Sequence, residues 1–202
     1  MKDIYLYDDV PVLKNLLGIK DAEVLNKAES DITCIKLLDI DNKFDDDIFD
    51  YERLKAINKY IFGDIYEWAG KEREILIEKA ERVLGGDTVR YSYPASIEKD
   101  ARNAIKELNN VKWKKLGMEE TASKFSVIIA KLWQVHPFRE GNTRTVMTFA
   151  VQFSEYNGFK INKALLKDNA DYLRDALVKA SDGPYSEYGY LIRIIKDAIE
   201  KG

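Results

Sequence analysis

The sequence contains one cysteine, one histidine and four prolines in 202 residues, and no uninterrupted apolar run near the ~20 residues needed to span a bilayer. A single thiol, Cys34, can form no disulfide within the chain. With only one histidine, distant from that cysteine, the zinc sites built from several such ligands are excluded. The opening stretch MKDIYLYDDV has no basic segment leading into an apolar one, so a cytoplasmic location and no membrane partner are expected. Charge of one sign is also lacking. The 32 basic and 35 acidic residues leave a net charge of −3, without the positive field that phosphate-backbone binding uses, so no nucleic-acid partner is expected. There is no G-x-x-x-x-G-K-[ST] loop and no G-x-S-x-G elbow, which removes the P-loop and the serine-hydrolase turn.

Apolar residues make up 46% of the chain, enough for one sizeable core, and 1–202 reads as a single domain. Helical periodicity dominates. Leu54, Ile57, Ile61, Ile65 and Trp68 recur at three- and four-residue spacings, in one helix or in two broken at Gly63. Ile97, Ala101, Ile105 and Leu108 repeat the pattern, as do Phe125, Ile129, Leu132 and Trp133 before Pro137 stops the run. Val146, Phe149, Ala150 and Phe153 lead to an Asn157-Gly158 terminus. Further helices are expected within 20–39 and near 162–179 and 186–200. The exception lies between Arg73 and Pro94. An Ile-Leu-Ile run, a Gly85-Gly86 turn signal and the alternation Val89, Tyr91, Tyr93 predict a β-hairpin. The fold class expected is therefore all-α with one β-hairpin.

The only histidine sits in HPFREGNTRT, residues 136–145. A Gly-Asn pair opening a helix exposes first-turn N–H groups that, with the helix dipole, suit an anion. Asn142 can cap or donate there, and Arg144 adds a positive fork that suits phosphate. Glu140 offers the oxygen by which magnesium is held beside nucleotide phosphates. His136, with an ordinary pKa near ~6.5, suits a general base. Taken singly, each of these residues is equally an ordinary loop or capping residue. Together they place a base, a metal carboxylate and a phosphate site within nine residues.

The same stretch resembles the signature of Fic-domain proteins, H-x-F-x-[D/E]-G-N-x-R followed three residues later by a second arginine. The upstream YERLKAINKYIFGDIYEWAGKEREILIEK is also similar to that family, and the likeness covers about residues 50–178, between a helical extension over about 1–48 and a helical part over about 179–202. The resemblance implies a magnesium-dependent enzyme that moves AMP from ATP to a Ser, Thr or Tyr hydroxyl of a target protein, on a helical fold with a hairpin flap. By position, His136 would be the base and Phe138 a core anchor. Glu140 would hold the metal, Gly141, Asn142 and the backbone of Thr143 the anion hole, and Arg144 the leaving pyrophosphate. Ile75, Leu76, Ile77, Glu78 and Lys79 would form the flap that docks the target, although a buried strand accounts equally well for two of the three apolar side chains. Self-modification is an expected background, given twelve tyrosines.

Two departures leave alternatives open. Thr143 stands where glycine is common, and Met147 where the second arginine belongs. A Doc-like kinase transferring the γ-phosphate is the second reading, and a weakened Fic fold acting as a binding or regulatory module the third. The family's inhibitory glutamate lies in an [ST]-x-x-x-E-[GN] helix, in the same chain or on a partner antitoxin. Glu29 and Glu200 do not fit that pattern and read as solvated helix charges.

Overall fold

The computed structural model describes residues 3–44 and 46–200. Among them are eight α-helices: α1 (Ala22–Asp39), α2 (Tyr51–Phe62), α3 (Ile97–Asn110), α4 (Met118–Val135), α5 (Asn142–Tyr156), α6 (Lys163–Asp168), α7 (Ala170–Ala180) and α8 (Gly189–Ala198). The starts follow from short polar caps. Asp21 accepts from the N–H groups of Glu23 and Val24, and Asp50 accepts from that of Arg53, satisfying first-turn donors that have no intrahelical acceptor.

The helix α4 runs through the centre, packed against α3, α5, α7 and α8. Phe125, Ile129, Leu132 and Trp133 are all at most 1% exposed, as a helix apolar around most of its circumference requires. Leu54, Ile57 and Ile61 of α2 are fully buried and face α5 across the site described below. The apolar periodicity of α2 continues to Ile65, also fully buried, but the helix stops at Phe62 and the chain turns through Gly63 to Gly70. The single helix expected near 162–179 is two, α6 and α7, with Asn169 leaving helical geometry at φ −117° between them.

The expected β-hairpin is absent: the described residues contain no strand, only two isolated bridges, Leu6 with Leu13 and Ile161 with Ile199. The fold is helical throughout. The cause lies in where the backbone groups of residues 73–92 go. The Ile75 carbonyl accepts from Arg73 Nη1 at 2.6 Å, and the Lys79 N–H donates to the Thr88 hydroxyl at 3.0 Å. The Glu81 N–H reaches the Asp87 carbonyl at 2.9 Å, and the Gly86 N–H returns to the Glu81 carbonyl at 3.0 Å. That closes a tight loop with Gly85 left-handed at φ 67° and no ladder behind it. The alternation at Val89 and Tyr91 records burial of those two side chains rather than a paired strand, and Tyr93 is exposed.

Candidate active site

His136 closes α4 in the left-handed region, φ 51° and ψ 57°, the one non-glycine residue with positive φ among the described residues. Pro137 disfavours continuing the helix through the histidine. Phe138 is fully buried, and the Asn142 side chain clamps it from both sides. Its Oδ1 accepts from the Phe138 N–H at 2.9 Å, and its Nδ2 donates to the Phe138 carbonyl at 2.7 Å. Gly141 then turns the chain at φ 78° into α5. A Cβ there would lie 2.1 Å from the Phe62 ring, so the close approach of α2 demands glycine.

The imidazole is 3% exposed, and neither Nδ1 nor Nε2 has a hydrogen-bond partner. Its ring lies against Tyr91, with centroids 4.1 Å apart, and edge-on to Trp133 at 5.3 Å. Burial first, then the charges of Lys79, Arg73 and Arg174, hold its pKa well below the usual histidine range. The imidazole is neutral at pH 7, with a free lone pair and unspent hydrogen-bonding capacity. Behind it, Glu81 accepts a bidentate pair from Arg174 at 2.7 and 2.8 Å, and the Tyr91 hydroxyl reaches Glu81 at 3.4 Å.

Arg144, in the first turn of α5, lies over the Phe62 ring at 4.6 Å and is already engaged. Its Nη2 donates to Glu29 Oε1 and its Nη1 to the Thr33 hydroxyl at 2.8 Å, both on α1. The other oxygen of Glu29 accepts from the Tyr66 hydroxyl at 2.6 Å. The Glu29 side chain is only 12% exposed, which overturns its reading as a solvated helix charge. The signal was available in the sequence: Leu25, Glu29 and Thr33 share one face of α1 at four-residue spacing, and the flanking two are buried. Glu200 instead pairs with Lys160 at 3.6 Å.

The other motif residues converge on the start of α5. Glu140 folds back so that Oε1 accepts from the Gly141 N–H at 2.9 Å. The Thr143 hydroxyl accepts from Trp133 Nε1 at 2.9 Å. Met147 is 8% exposed and packs in the core. The Asn142 amide is spent on the loop, and only its backbone N–H, in the first turn of α5, is left for another acceptor. Asn58, fully buried on α2, donates to the Thr145 hydroxyl at 3.0 Å and the Glu140 carbonyl at 3.3 Å, and accepts from the Gly70 N–H. Ile75 to Lys79 lie apart from α5, along a groove of about 440 Å³ shared with Asp3 and Arg139. Leu76 points outward at 57% exposure, while Ile77 packs partly on the core. Tyr66, Asn58 and Arg73 carried no signal as site residues in the sequence, and Tyr91 carried only that of an alternating strand. Among the described residues no three His, Cys, Asp or Glu side chains gather as a metal cluster, and no helix is long and apolar enough to cross a membrane.

Residues 48–154 match the Fic/DOC family. The chain belongs to that family. It is similar to the protein adenylyltransferase VbhT of Bartonella schoenbuchensis, at 32% identity over 161 residues, covering 79% of this chain and 32% of that protein. It is also similar to the probable protein adenylyltransferase y4lH of Sinorhizobium fredii, at 27% identity over 199 residues, 96% of this chain and 95% of that one. The chain thus spans about a third of the first relative and nearly all of the second. Its fold resembles the BepC protein of Bartonella tribocorum, solved with bound AMPPNP, with a TM-score of 0.82 at 21% identity over 98% of this chain and 97% of that one.

Proposed function

We propose that this Fic/DOC chain is a protein adenylyltransferase, moving AMP from ATP to a hydroxyl of a protein substrate. The observation that carries this reading is the His136 imidazole, buried, uncharged and without a partner on either nitrogen, four residues before the carboxylate and six before the helix terminus of a phosphate site. The relatives named protein adenylyltransferase support it.

In the reaction, an imidazole nitrogen takes the proton of the target hydroxyl as its oxygen bonds to the α-phosphorus, and the bond to pyrophosphate breaks. Backbone N–H groups of Asn142 and Thr143 at the start of α5 face the phosphates, the Gly141 N–H being held by Glu140, and Arg144 stabilises charge on the leaving pyrophosphate. Glu140 would hold magnesium through its second carboxylate oxygen, Oε1 being taken by the Gly141 N–H, the pattern of a single carboxylate when the ion is shared with nucleotide phosphates. When bound, the ion neutralises phosphate charge. The segment Ile75 to Lys79 docks the target along the groove it borders, placing the hydroxyl in line with His136. The chain acts as one cytoplasmic domain. Its own α1 restrains it, because Glu29 holds the arginine that the triphosphate needs.

The test is incubation of the purified protein with magnesium, a lysate and ATP labelled at either phosphate. Label from the α-position on a protein is expected. Label from the γ-position alone identifies a Doc-like kinase, and no label identifies a binding module; either sinks the transferase.

A further inference from the structure

Arg73 is 1% exposed, yet no ion pair among the described residues includes it. Its guanidinium is spent on backbone carbonyls: His136 from Nε at 2.7 Å, Ile75 from Nη1 at 2.6 Å, Ser92 from Nη2, and Val135 from Nη2 at 3.4 Å. Its own N–H donates to the Pro137 carbonyl at 2.8 Å. One residue thus holds three consecutive carbonyls at the end of α4 and both arms of the loop that carries residues 75–92. Burying a cation without a counter-ion is costly, and hydrogen bonds to neutral carbonyls offset only part of that cost. A cap for α4 needs far less. Glycine or asparagine in the left-handed position serves most helix ends, and one exposed lysine would serve the last carbonyls.

The position held is also unusual. His136 sits in left-handed backbone, which β-carbon sterics disfavour, and its ring direction follows from that backbone. The Ile75 and Ser92 carbonyls would otherwise be free to move with an irregular loop that has no ladder to stiffen it.

We propose that Arg73 is a positioning residue for the transfer reaction, tying the target-docking segment to the backbone of His136 so that hydroxyl and base are aligned by one fork. The proposal rests on the reading of His136 as base. Arg73 touches neither ATP nor hydroxyl, so its loss acts on kcat and leaves nucleotide affinity alone. Lysine in its place keeps the charge, but its three donors radiate from one nitrogen and cannot reach carbonyls spread across the three nitrogens of the fork.

The experiment measures kcat, KM for ATP and melting temperature for wild type, His136→Ala and Arg73→Lys. It includes a chain carrying the α-hydroxy analogue of Tyr93, whose ester weakens the Ser92 carbonyl as an acceptor without altering any side chain. Arg73→Lys is expected to lose about 10²-fold in kcat, the scale of a small misplacement of reacting groups, with KM for ATP unchanged. The ester is expected to lose about threefold or more in kcat with the melting temperature little altered. The proposal is overturned if Arg73→Lys keeps kcat near wild type, or if KM for ATP worsens in proportion to kcat. Should Arg73→Lys fail to fold, the ester decides alone, and an unchanged kcat there overturns it. Retained activity in His136→Ala removes the base itself, an outcome separate from any result at Arg73.

Discussion

The Glu29 carboxylate accepts from two side chains at once, the Arg144 guanidinium on one oxygen and the Tyr66 hydroxyl on the other. Tyr66 stacks on Trp68 at 4.4 Å, so the carboxylate is held against a rigid aromatic pair. A triphosphate reaching Arg144 competes with this carboxylate. Glu29→Gln removes the charge but keeps the shape of α1, and transfer is expected to rise by about 5–150-fold, the usual range of a coupling between sites. An assay of α-label incorporation at fixed ATP checks it. No rise would mean that α1 holds Arg144 without restraining it.

His136→Ala removes the proposed proton acceptor and nothing that faces the nucleotide. Transfer is expected to fall by about 10²–10⁴-fold, while binding of a non-hydrolysable ATP analogue stays within a few-fold. Parallel calorimetric and rate measurements separate the two. Retention of more than about a hundredth of the rate would remove the histidine from the chemistry.

The depressed pKa of His136 also makes a statement about stability. In the unfolded chain the imidazole takes a proton near pH ~6.5, whereas in the folded chain it resists protonation until well below that. Acid therefore favours the unfolded state. This contribution is fully present above pH ~6.5 and is lost as the pH falls, at about 1.4 kcal/mol per pH unit between the two pKa values. Denaturant melts at pH 7.5, 6 and 5 should show a steeper fall for wild type than for His136→Asn, which tolerates left-handed backbone and carries no titration. Parallel slopes for the two proteins would place the acid sensitivity elsewhere.

Glu140→Gln keeps an oxygen for the Gly141 N–H and removes the negative charge. The magnesium concentration needed for half-maximal transfer is expected to rise about tenfold or more, the usual scale for losing a supporting metal interaction. A superimposable magnesium titration would leave Glu140 with only its role in the loop.

The helices were legible because their apolar spacing survives into burial: Leu54, Ile57, Ile129 and Phe149 are all fully buried, as periodicity demands. The 73–94 segment misled because alternation reports which side chains face inward, and Val89 and Tyr91 do. It does not report whether a neighbouring strand exists, and the turn around Gly85 is closed by bonds within residues 81–87, from Glu81, Arg82 and Leu84, with no strand across from it among the described residues. At the site, the motif brought His136, Glu140, Gly141 and Arg144 together because they are contiguous in sequence. The partners that set their state lie far away in it. Arg144 and Glu29 are 115 residues apart, and Arg73 and His136 are 63 apart. Arg73, between Glu72 and Glu74, looks like surface charge, and only the folded chain shows that it faces carbonyls.

Trp133 gives the site an optical handle. Its indole stands edge-on to the imidazole at 5.3 Å while its N–H is fixed on Thr143 at the head of α5. An imidazolium accepts an electron from an excited indole far better than a neutral imidazole does. With Trp68 and Trp113 replaced by phenylalanine, the intrinsic emission of Trp133 thus reads the ionisation of His136 in resting protein, without turnover, target or label.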